Sequence, residues 1–188
     1  MRILAIDPGS EKSGWCVLVD GVPTRWDETP NDELLMMIAD GEDLAYPNNY
    51  MLAIEYVYLR GMKVFQQAID TVFWVGRFVE CWGESYALID RKDEKMVLCG
   101  NATANDASIR IALIDRFGGP DVAIGGKRCR TCAGKGWKGR GRPPCPDCAY
   151  DNSTGYETPP GPLKGLTGHA MSALAVGVTY LDQQGAST

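Results

Sequence analysis

The chain has one histidine, His169, and no apolar run near the ~20 residues that a membrane-spanning helix needs. No transmembrane helix is therefore expected. Arg2 is followed at once by a strand-like run, with neither the hydrophobic stretch nor the cleavage site of a secretory leader. A cytoplasmic protein with reduced cysteines is the expectation. No internal repeat is evident, and the cysteine count, seven, is odd. Cys16, Cys81 and Cys99 lie in apolar runs and read as buried thiols, while the other four form two CxxC pairs, which favours metal binding over disulfides.

What is present suits one domain with room for an inserted module: 188 residues, of which 45% are hydrophobic. The net charge of −5 argues against a polyanionic partner only as an average. Lys127, Arg128, Arg130, Lys135, Lys138, Arg140 and Arg142 put seven basic residues into sixteen positions without an acid. The rest of the chain then carries 12 basic against 24 acidic residues, a net −12. An acidic body with one concentrated basic segment has the electrostatic footprint of a polyanion binder.

Residues 3–7 and 14–20 read as strands, and Asp20-Gly21 signals a hairpin into a third strand near 22–27. Residues 31–41 read as a short helix capped by Asn31 or Asp32 and ended by Gly41. A buried strand follows at 50–57. A long helix at 62–83 carries Val64, Ala68, Val72, Val75 and Val79 on its apolar face. Residues 85–90 and 95–100 read as strands, and 105–119 as a helix with Asn105 as cap and Gly118 as stop. Residues 120–162 lose this periodicity and turn rich in Gly, Pro and Cys. A last helix at 168–182 has Ala170, Leu174, Val178 and Leu181 on one face. Strands alternating with helices give an α/β fold. Its core is expected to be 1–119 with 163–188, and 120–162 an insertion before the last helix.

Cys129 and Cys132, then Cys145 and Cys148 twelve residues later, suit a tetrahedral Zn²⁺ site, each CxxC turn offering two thiolates. An insertion this small cannot bury a core, so metal would supply its stability. Four protein ligands leave no open position, which makes this zinc structural. The "CAGKG" stretch also resembles half of a DnaJ-type zinc module. The surrounding basic residues suit phosphate contact, with Trp137 stacking on a base or sugar, or else they are solvated loop charge.

Asp7 ends the first strand and Glu55 nearly ends a later one, in apolar surroundings where unpaired acids are costly. Convergence of Asp7, Glu55 and His169 would give oxygen ligands with one imidazole, suited to Mg²⁺ or Mn²⁺ and to two-metal phosphodiester hydrolysis. Singly, each also reads as an ordinary turn acid, strand-edge acid and helix-start residue.

The segments "ILAIDPGSEKSGWCVL", "LAIEYVYLRG", "KMVLCGNATANDASIRIALIDRFG" and "GHAMSALAVGVTYLD" are similar, in order and spacing, to the RuvC family of Holliday junction resolvases. They look most like its phage-encoded members. The resemblance implies an RNase H-like fold, a mixed five-stranded sheet flanked by helices. It implies a dimeric, divalent-metal-dependent endonuclease acting on branched DNA. Asp7 and Glu55 match the family's first and second catalytic carboxylates, and Lys95 matches a strand lysine that contacts DNA backbone. The family's last helix carries two carboxylates three residues apart, where this chain has His169 and Ser172. His occurs at the first of these positions in some members, so His169 is expected as a metal ligand or water activator. Asp106 is the candidate to make up the missing acid, or else it stabilises the first turn of its helix. Alternatives of other kinds are a junction-binding protein without catalysis, a nuclease acting on RNA–DNA hybrids, and a protein-interaction module using the zinc segment.

Overall fold

Four consecutive apolar residues, Ile3–Ile6, suit a strand covered on both faces. In the computed structural model, which describes residues 1–41, 50–58, 65–126 and 159–185, they form the middle of β1 (Arg2–Asp7). β1 is the central strand of a five-stranded sheet in the order β3-β2-β1-β4-β5. β2 (Lys12–Val19) runs antiparallel to β1 and sets Gly14 opposite Asp7. The Asp20-Gly21 turn leads into the edge strand β3 (Val22–Pro30), with both residues at positive φ, 50° and 81°. On the other side β4 (Tyr50–Tyr56) is parallel to β1, Ile6 beside Ile54, and β5 (Tyr86–Asp90) is parallel to β4. The mixed five-stranded sheet expected of an RNase H-like fold is therefore present.

Alternation along the strands divides their side chains between two faces. Leu4, Ile6, Trp15, Val17, Leu52 and Ile54 pack on one face against α1 (Asn31–Asp40) and α2 (Gln66–Trp82), which contribute Leu34, Ile38, Val75, Phe78 and Trp82. The other face is covered by α6 (Gly168–Gly185), which lies over β1 and β2. Ala170 and the whole run from Ala173 to Tyr180 are buried, so the middle of α6 is buried all round rather than on the single stripe expected. Among the described residues, no helix is long and apolar enough to cross a membrane.

Three local expectations are corrected. Residues 95–100 are not a strand: 95–99 belong to α3 (Arg91–Cys99). Asp90 caps that helix by accepting from the Lys92 N–H, Asp93 and Glu94 fill its first turn, and Gly100 ends it at φ 64°. These end signals outweigh the short apolar run Met96–Leu98. Asn31 does not cap α1; Pro30 occupies the cap position, and the Asn31 side chain is buried in a turn network described below. On α2 the buried face is Thr71, Val75, Phe78 and Trp82, because the two large rings take the sheet side and leave Ala68, Val72 and Val79 half-buried. Val64 lies outside the described residues.

α4 (Asp106–Arg116) has the expected Asn105 cap, whose Oδ1 accepts from the Ser108 N–H. By compactness the chain divides into Met1–Ala112 with Leu166–Thr188, and Leu113–Gly165. The second unit contains the short helix α5 (Pro120–Ala123), and a bridge pairs Gly125 with Pro160.

Two glycines let α6 lie close on the sheet. A Cβ on Gly177 would meet Leu18 Cδ1 at 2.6 Å, and one on Gly14 would meet the His169 backbone carbon at 2.2 Å. Gly14→Ala is therefore expected to destabilise the fold by roughly 1–3 kcal/mol, since backbone must move. Gly76→Ala, in α2 with nothing within 4 Å of the added Cβ, is expected to stabilise it by roughly 0.5–1 kcal/mol. Urea midpoints of the two variants check this pair, and a neutral Gly14→Ala would contradict the close approach.

Candidate active site

Parallel pairing places the first two carboxylates. Ile6 lies beside Ile54, so the next residues, Asp7 and Glu55, stand side by side at the carboxyl ends of β1 and β4. Asp7 follows Ala5 on the α6 side of the sheet, where ligand crevices form at such strand ends. Each side chain is 13% exposed. Burial raises the Asp7 carboxyl above its ordinary value, against the opposing pull of His169 and Arg91. Burial, with Asp7 and Glu94 nearby, pushes Glu55 up to about 8, and a proton held on Glu55 is one it can donate to Asp7. The two titrate as a pair.

The turn after Asp7 is fixed by a closed ring of hydrogen bonds. The Gly9 N–H donates to Ser13 Oγ (3.3 Å), Ser13 Oγ–H to Asn31 Oδ1 (2.6 Å), and Asn31 Nδ2–H to the Gly9 carbonyl (3.0 Å). Ser13 and Asn31 are buried, so the bond between them is made where water does not compete. This ring holds the chain's return into β2 and leaves Asp7 at the strand end.

His169, in the first turn of α6, sits over the Asp7–Gly14 pair because Gly14 offers no side chain. Its Nδ1 is 2.9 Å from Asp7 Oδ2. A proton on Nδ1 donated to that carboxylate leaves Nε2 with a free lone pair. The ring is 57% exposed and lines an open cleft of about 390 Å³. Arg91, Asp106, Arg110, Met171 and Ser172 line it as well.

Arg110 in the cleft escaped the sequence reading, and so did Arg91 and Glu94, both on α3. Glu94 is fully buried, and its Oε2 accepts from Arg91 Nη1 at 2.5 Å. Its Oε1 has no hydrogen-bond partner among the described residues. Burial, then the charge of Asp7, pushes Glu94 up to about 7 against the opposing pull of Arg91. The same Arg91 Nη1 lies 3.5 Å from Glu55 Oε2, while Nη2 donates to Asp106 Oδ1. Burial opposes the Arg91 charge, but Glu94, Glu55 and Asp106 together hold it on the guanidinium. The signal that would have found the pair was the Asp90 cap, which starts a helix and brings Arg91 and Glu94 together at i,i+3.

The structure thus brings Asp7, Glu55 and His169 together. Asp106, 84% exposed at the start of α4, joins them through Arg91. Lys95 is half-buried on α3 and on a helix rather than a strand. Cys129, Cys132, Cys145, Cys148, Lys127, Arg128, Arg130, Lys135, Trp137, Lys138, Arg140 and Arg142 lie outside the described residues.

Two solved structures are similar to this fold. One is Thermus thermophilus RuvC in complex with Holliday junction substrate, at 14% identity and TM-score 0.57, covering 100% of this chain and 97% of that one. The other is a Thermus thermophilus RuvC structure, also at 14% identity and TM-score 0.57, covering 100% and 98%. No family model and no curated protein sequence matches the chain.

The donor chemistry fits a hard divalent cation. The carboxylates outnumber the guanidinium, and one buried oxygen, Glu94 Oε1, is unpartnered among the described residues. Among those residues no group of three or more His, Cys, Asp or Glu side chains is gathered closely enough to hold a metal ion as it stands. Arg91 Nη1 lies between the oxygens of Glu55 and Glu94.

These carboxyls tie stability to pH. A carboxyl with a raised folded pKa contributes stability below its unfolded value of 4.5 and loses it as pH rises through the folded value, here about 7 for Glu94 and about 8 for Glu55. The metal-free protein is expected to lose stability between about pH 6 and about pH 9, where ordinary carboxylates are already ionised. Urea midpoints in EDTA across that range check it, and a midpoint that rises would contradict it.

Proposed function

We propose that the chain is a structure-selective endonuclease that hydrolyses phosphodiester bonds of branched DNA, four-way junctions above all, with Mg²⁺ or Mn²⁺. The observation that carries this reading is the side-by-side placement of Asp7 and Glu55 with His169 over Asp7. The sheet that presents them is similar to that of a RuvC found in complex with Holliday junction substrate.

Asp7, Glu55 and His169 hold the divalent ions. Bound there, such ions supply the Lewis acid that generates the nucleophile and stabilises charge in an in-line displacement. The chain's own groups do the rest. Asp7 fixes the His169 ring through Nδ1, so that Nε2 is oriented as a ligand or as acceptor of the water's proton. Arg110 lines the same cleft and offers a guanidinium to a phosphate. Asp106 restrains Arg91 at the mouth. In this reading the CxxC pairs hold a structural Zn²⁺, and the basic segment around them, with Lys95, contacts DNA arms. A homodimer supplies two sites for symmetric nicks.

The second reading is a junction-binding protein that does not cut, favoured by Ser172 in α6 and by Arg91 between the carboxylates. A synthetic four-way junction separates the two. The wild-type chain is expected to nick it with Mg²⁺ or Mn²⁺, and Asp7→Asn to slow nicking by at least about 100-fold, the upper end of what loss of a supporting partner costs a metal site. Junction affinity measured in Ca²⁺ should be kept. Undiminished cutting by Asp7→Asn sinks the mechanism, and wild-type binding without cutting in Mn²⁺ establishes the second reading.

A further inference from the structure

α6 presents an imidazole at position 169 and only a hydroxyl at 172, so its side of the cleft lacks a carboxylate. α3 presents one. Glu94 is 0% exposed, and one of its oxygens is bound to Arg91 while the other has no hydrogen-bond partner among the described residues. A carboxylate buried only to make a salt bridge is a poor stabiliser, because desolvation exceeds the Coulomb gain unless every lone pair is satisfied. Here one oxygen is left over, the charge of Asp7 lies close enough to act on Glu94, and Glu94 in turn acts on Glu55. Glu55 Oε2 and Glu94 Oε2 meet the same guanidinium nitrogen, at 3.5 and 2.5 Å. A cation between two carboxylates is the arrangement of a metal site with a side chain in the place of the ion. The other end of the guanidinium already rests on the exposed Asp106, which gives it somewhere to go.

We propose that Glu94 is a third carboxylate ligand of the divalent-cation site, supplying the acid that Ser172 does not, and that Arg91 Nη1 holds its place until the ion enters. The assignment rests on the nuclease reading for the identity of the ions, but it is tested by metal binding without DNA.

The experiment is Mn²⁺ titration of the full chain by calorimetry, for the wild type, Glu94→Gln, Glu94→Asp and Arg91→Gln. Glu94→Gln keeps the shape and an oxygen that can still accept from Arg91, and its melting temperature without metal reports whether the variant folds. Its Mn²⁺ affinity should drop by at least about 10-fold, with part of the loss recovered by Glu94→Asp. Arg91→Gln, freed of the competing cation, should bind Mn²⁺ more tightly than wild type. Wild-type affinity in Glu94→Gln overturns the assignment. If Glu94→Gln does not fold, Arg91→Gln decides: tighter binding supports it, and unchanged or weaker binding overturns it. Mn²⁺ bound through Glu94 by a chain that cuts no junction removes the nuclease reading and leaves this one standing. Junction cutting by a chain whose Glu94→Gln variant binds Mn²⁺ normally does the reverse.

Discussion

Asp7 and Glu55 stand side by side because β1 and β4 run parallel and in register, and both strands bury their side chains at that end. Two carboxylates so placed repel one another and have lost most of their water. The neighbourhood is arranged around that repulsion. Glu55 keeps its proton well above the ordinary carboxylate range and shares it with Asp7. Asp7 takes a second partner in His169, which reaches it only because Gly14 lets the start of α6 come down onto β2. Arg91 supplies positive charge to Glu55, Glu94 and Asp106 at once. Burying several acids around the Arg91 guanidinium is unfavourable as a scaffold, and carboxyls perturbed in this way cluster at functional sites.

Rigidity at this site comes from uncharged parts. The hydrogen-bond ring of Gly9, Ser13 and Asn31 pins the turn that follows Asp7, and α1 takes part in it through Asn31. Gly14 and Gly177 seat α6 on the sheet at two points along its length. The ionic groups are therefore held by a frame that does not depend on their charge state.

Much of this was legible in the sequence. Apolar runs ending in an acid gave the strands that carry Asp7 and Glu55, and the Asp20-Gly21 turn, Gly41 and the Asn105 cap marked their elements correctly. The meeting of His169 with Asp7, distant in sequence, followed from the motifs taken together rather than from any one of them. Charge burial was not legible. The stretch from Asp90 to Lys95 is a run of charges of the kind that usually faces water, and nothing in its composition says that Glu94 turns inward. Missing the Asp90 cap made Met96–Leu98 look like a strand and hid the i,i+3 pair. Asn31 misled for a related reason: its side chain bonds to another turn instead of to its own helix.

The central claim is that the carboxylates of β1 and β4 form a divalent-cation site. The most direct measurement is a crystal structure of the protein soaked in Mn²⁺, read by anomalous scattering. The account predicts a manganese peak bound by Asp7 and Glu55, with the Arg91 guanidinium displaced from between Glu55 and Glu94. A saturating soak that leaves Arg91 in place and shows no manganese on either carboxylate would contradict it.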